Sequence, residues 1–172
     1  MIALSIQIII FFYTFKTMKV QFQKNKATKH VITFVRNNQT ITWTKADDFL
    51  VLHDLSHYSI EKILNFTTAF YGMINSGATI KDFEDKVKRD KMNLTKEAWY
   101  AETLANLILI EHTQTSFENL NKTFREALNQ TNPNIPFMAI SEADIEKMRS
   151  LYSQLIKNWE LLPEHQCMEL DF

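Results

Sequence analysis

His53 and His57 stand four residues apart, with Asp54 between them and Glu61 four residues beyond the second histidine. On a helix such positions lie one turn apart, so two imidazoles and a carboxylate leave the same face. One turn of rise sets the ring nitrogens at a separation that a single cation can bridge, which is how helices present ligands to divalent metals. Asp54 sits one residue round from this stripe, placed to orient a ring or to reach a neighbouring element. A zinc, manganese or iron ion held by a helical pair needs one or two further ligands from elsewhere in the chain. Glu111 and His112 are the expected donors; being adjacent, they face different directions, so at most one of them converges on the pair.

The same residues admit a simpler role. Leu55, Tyr58 and Ile60 make this helix partly core-facing, and a buried histidine commonly satisfies a carbonyl or a carboxylate without binding anything. The leading expectation is a non-enzymatic binding or structural role, with His53, Asp54, His57 and Glu61 as a hydrogen-bonded cluster. The alternative is a divalent-metal-binding helical protein, acting as a hydrolase or a lipid-handling accessory. The Glu at the second position that defines zincin peptidases is missing, and Ser56 and Ser59 come with no evident oxyanion hole, so a hydrolase triad is not expected. Phe66, Phe70, Tyr71, Met73 and Ile74 could line a lipid or prenyl pocket, but apolar residues at helical spacing usually pack as core.

His53-Asp54-x-x-His57 resembles the HDxxH metal-binding signature of the helical ubiquinone-biosynthesis proteins. That resemblance implies a bound divalent metal and a further Glu ligand after an eleven-residue gap, a position that is Ala69 in this chain. Glu61 substitutes only if the site is built differently. The longer phrase HDLxHYxxE, with Phe70-Tyr71-Gly72 and a late Trp159, is similar to small uncharacterised bacterial proteins and brings no activity with it.

The rest of the chain bounds these readings. With 172 residues, 45% apolar and 23% charged, it has the length and composition of one folded domain with a true core. Two glycines and three prolines are too few for dinucleotide-binding sheets, phosphate loops or multi-stranded barrels. Nineteen basic against twenty acidic side chains, with only short basic runs, exclude nucleic acid as the expected partner. No cofactor-binding set beyond the metal candidate is evident, and self-association is left open. Cys167, the one cysteine, rules out an internal disulfide framework and fits a packing thiol in a reducing, cytoplasmic compartment. Residues 1–17 form an apolar extension or weak anchor, with residues 1–15 the one membrane-contacting stretch expected.

Residues 18–172 are expected to form a single α+β, mainly helical domain. Val20 and Phe22 alternate with polar neighbours; Val31–Val35 and Thr40–Thr44 flank an Arg36-Asn37-Asn38-Gln39 turn, which predicts an N-terminal β-hairpin. Gln166–Phe172 alternates again and is expected to add a strand to it. Between them the periodicity predicts four to five helices: one from Thr44 and Asp47 to Gly77, with a break near Leu52–Asp54; one from Thr79 to Lys91; and one capped by Thr95. A fourth is expected from Ser116 to Gln130 and a last one from Glu142 to Trp159.

Overall fold

The computed structural model describes residues 17–172, the side chains at positions 86, 89 and 90 excepted. Four antiparallel strands, β1 (Lys19–Gln23), β2 (His30–Val35), β3 (Ile41–Ala46) and β4 (Cys167–Asp171), lie in the order β3-β2-β1-β4. Alternation gives the sheet one dry face: Val20, Phe22, Ile32 and Phe34 are fully buried. The register sets Val20 opposite Phe34 and Phe22 opposite Ile32, so these side chains meet across the strands. The β2–β3 hairpin closes through the Arg36 N–H donating to the Thr40 carbonyl at 2.9 Å. Gln39, rather than either asparagine, takes the left-handed backbone there (φ 68°). The C-terminal strand does join the N-terminal hairpin region, on the free side of β1. Cys167 on β4 is exposed, not packed as expected, because its position falls on the outward face of the sheet.

Seven helical segments follow β3 among the described residues: α1 (Asp48–Ile63), α2 (Phe70–Asn75), α3 (Ile80–Glu84), α4 (Lys86–Lys91), α5 (Lys96–Thr113), α6 (Leu120–Thr131) and α7 (Glu142–Leu161). Four of them are long and three are single turns or little more, so the domain is α+β and mainly helical. The central element is α1, which packs on the dry face of the sheet and against α5 and α7. Its position explains why every residue from Asp54 to Glu61 is buried.

Several boundaries differ from the expected ones for local physical reasons. Thr44 is held in β3, so Asp47 caps α1 by accepting from the Leu50 N–H at 3.0 Å. The helix runs unbroken through Leu52–Asp54 and ends instead after Ile63, where Asn65 adopts the left-handed conformation (φ 53°). The expected single helix from Thr79 to Lys91 is two, because Asp85 stops α3 and its carboxylate accepts from the Val87 and Lys88 N–H groups that open α4. Asn119, not Ser116, caps α6. Thr95 and Ser141 cap α5 and α7 as their spacing requires.

Gly72 has the tightest backbone contact. A Cβ there would lie 1.9 Å from the Thr67 carbonyl oxygen, so only glycine lets the 64–69 connection fold down on α2. That connection turns α2 back across α1 and carries its first N–H groups over Glu61. The apolar stretch at the start of the chain lies, through residue 16, outside the described residues; no described helix is long and apolar enough to cross a membrane.

Candidate metal centre

His53 and His57 leave α1 on one face, as their spacing demands, with ring centroids 4.8 Å apart. The third member of the cluster comes from α5, the helix packed most extensively on α1: Glu102 lies 3.1 Å from His57 Nε2 and 3.9 Å from His53 Nε2. Ligand atoms of His53, His57 and Glu102 all lie within 4.8 Å of one another. A tetrahedral ion with bonds of about 2.1 Å sets its ligand atoms about 3.4 Å apart. The His57–Glu102 separation already meets that requirement, and His53 must close in by about 0.5 to 1.4 Å. Glu102 has the freedom to help, its side chain being half exposed (55%), while His53 keeps 17% exposure.

Behind the cluster, Glu61 fixes His57. Its carboxylate is fully buried, with one oxygen 3.2 Å from His57 Nδ1 and the other accepting from the Tyr71 N–H at 3.0 Å. A ligating histidine held through its other nitrogen by a carboxylate is the usual outer arrangement of metal sites. Asp54, also buried, does not join the cluster: its Oδ1 is 4.0 Å from His53 Nδ1, outside hydrogen-bond range, and its backbone carbonyl accepts from the Tyr71 hydroxyl at 2.9 Å. Phe49 stacks on the outer face of His53, and Phe70 leans on His57.

His57 and its two carboxylates hold a proton between them. Burial works against a charged His57, yet hydrogen bonds to Glu102 and Glu61 outweigh it and push the imidazole from its ordinary 6.5 up to about 10. His57 then donates from both nitrogens, and its hydrogen bond pulls Glu102, against a smaller opposing effect of burial, down to about 2. Burial acts on Glu61 in the other direction, raising it against the pull of His57 and the Tyr71 N–H. The direction that governs the trio is that of His57, which faces a carboxylate on each side.

The cluster opens on a cleft of about 1020 Å³ between α1, α2, α3 and the first turns of α5. His53, Asp54, His57 and Glu102 supply its polar side, and Leu50, Phe70, Met73, Phe83, Leu94 and Trp99 much of its apolar wall. Of the residues weighed for an apolar pocket, Phe70 and Met73 line this cleft, whereas Phe66, Tyr71 and Ile74 are buried in the core.

The two donors expected from α5 lie elsewhere. Glu111 takes a two-pronged bond from Arg149 (2.9 and 2.6 Å) and accepts from the Phe117 N–H, while His112 meets the edge of Tyr152. Nine residues of helix put Glu111 about 13 Å along the axis from Glu102. Ser56 and Ser59 are fully buried, with hydroxyls donating to backbone carbonyls of His53, Ala105 and Ser56, and so hold no nucleophile. Glu102 leaves a faint trace in the sequence: it follows Ala98 by four and precedes Ala105 by three, a carboxylate within an otherwise apolar stripe.

Compared with known proteins, the chain finds no matching family model, no curated relative and no similar solved structure.

Proposed function

We propose that this is a divalent-metal-binding protein in which His53, His57 and Glu102 hold one ion facing the cleft. The observation that carries the reading is the convergence of two imidazole nitrogens and a carboxylate from α1 and α5, backed by the Glu61 bond to the far nitrogen of His57. Two imidazoles and one carboxylate suit zinc, manganese or iron, and three protein ligands leave coordination positions for water or a bound molecule. An ion so placed polarises a bound oxygen or lowers the pKa of a bound water. Within the protein, Glu61 orients His57, and the ion takes the place of the proton that His57 shares with Glu102. Metal affinity accordingly rises with pH as that proton becomes easier to displace.

Titration of zinc into the full chain, prepared without a histidine tag and stripped with chelator, tests this. One ion per chain is expected, with binding lost in Glu102→Gln and in His53→Ala. Metal far below one per chain, with no gain on adding zinc, manganese or iron, would sink it.

A second reading is favoured by one specific feature: both His57 nitrogens already have carboxylate partners. In that case the trio fixes the fold, and His57→Ala lowers the melting temperature without removing any ligand.

A further inference from the structure

The cleft beside the proposed ion has a composition that selects what can share the site. Its walls are leucine, phenylalanine, tryptophan and two methionines, Met73 and Met92, whose flexible thioethers adapt to a chain of variable shape. Apart from the two histidines that hold the ion, its charged lining is of one sign. Asp54, Glu84 and Glu102 all face it, and among the described residues no lysine or arginine does. One divalent ion offsets two of these three carboxylates and occupies both lining histidines, so an anionic head would enter a site still short of positive charge, with no lysine or arginine among the described lining residues to receive it. A neutral oxygen meets no such opposition and can occupy an open position on the ion.

We propose that the cleft binds an uncharged amphiphile, with an alcohol or ester oxygen at the ion and an unbranched alkyl tail along the wall formed by Phe70, Met73, Phe83, Met92, Leu94 and Trp99. The head of this proposal rests on the metal reading above; the tail rests on the cleft alone. A largely apolar pocket of this size with a few convergent polar groups at one side is the usual form of a small-molecule site.

The test is calorimetric titration of the zinc-loaded full chain with straight-chain 1-alkanols of about four to eight carbons, beside alkanoates of matching length. Affinity is expected to tighten about fourfold for each added methylene, as full burial of each CH₂ requires. The alkanol should bind at least about tenfold more tightly than the alkanoate, and stripping the zinc should weaken it by a comparable factor. Ala98→Phe, which projects a ring into the cleft from α5, should abolish alkanol binding while leaving one zinc per chain. Leu94→Asn serves the same purpose if the first variant does not fold. A series flat in chain length on zinc-loaded protein overturns the tail, and an alkanoate equal to or tighter than its alkanol overturns the neutral head. A chain that takes up no zinc but keeps the methylene dependence sinks the metal reading and with it the placement of the head, while upholding the tail.

Discussion

Replacing His57 by leucine keeps roughly the same volume and removes the charge that lies between two carboxylates. The consequences for those carboxylates differ. Glu102 is half exposed, so water takes over its lost partner and its share of the loss is small. Glu61 is fully buried and retains only backbone donors at the start of α2, chiefly the Tyr71 N–H at 3.0 Å. Stranding a buried ion by removing its partner costs about 3–5 kcal/mol. In a domain of this length that corresponds to a drop of about 6–20 °C in melting temperature, at about 2–4 °C per kcal/mol. Burial already raises Glu61, so the variant can relieve itself by protonating that residue, and the deficit is expected to shrink as pH falls. The assay is urea denaturation with chelator present, at mildly acid and mildly alkaline pH. Adding Glu61→Gln keeps an acceptor for Tyr71 without the charge, and should restore more than half of the lost stability. A single variant within about 1 kcal/mol of the parent at alkaline pH, or a double variant no better than the single one, would refute the buried-pair argument.

The metal-free parent should also show a pH window set by this trio. Because His57 is raised from 6.5 to about 10, its contribution is complete below 6.5 and is lost as pH climbs to about 10. Glu102, lowered from 4.5 to about 2, contributes above 4.5 and loses its share as pH falls to about 2. Denaturation midpoints across pH should therefore fall on both sides of this window, and His57→Leu should flatten the alkaline limb. Gly72→Ala should destabilise by about 1–3 kcal/mol, since its methyl must displace the Thr67 carbonyl; thermal melts that coincide with the parent would count against that contact. Glu111→Gln should lower stability by about 1–3 kcal/mol through the loss of charge-assisted bonds to Arg149. The same variant should leave zinc affinity unchanged, and a weakened zinc isotherm would return Glu111 to the site.

Much of the fold was legible because local patterns state it. Alternation in Val20–Phe22, Val31–Val35 and Thr40–Thr44 reads as strand whatever surrounds it, and Thr95 and Ser141 cap helices through bonds three residues away. The failures were of one kind. Thr44 has the chemistry of a cap but is claimed by β3, and Ser116 lost its role to Asn119. Position 65 ended α1 through a left-handed asparagine that looks unexceptional in a helical run.

The site divides along the same line. Periodicity alone put His53 and His57 on one face of a helix, since that depends on nothing beyond 3.6 residues per turn. It also placed Glu61 on that stripe, where it holds the far nitrogen of His57. Which carboxylate would meet the pair from outside depended on how α5 lies across α1, and no local pattern carries that information. Glu111 and Glu102 are both acids on one long helix; packing brings Glu102 to 3.1 Å from His57 and gives Glu111 to Arg149 on α7. The cleft was beyond local reading for the same reason: Phe70 and Met73 line it while Tyr71 and Ile74 beside them are core. One-turn spacing fixes a direction within a helix, whereas the angle at which two helices cross decides what that direction meets.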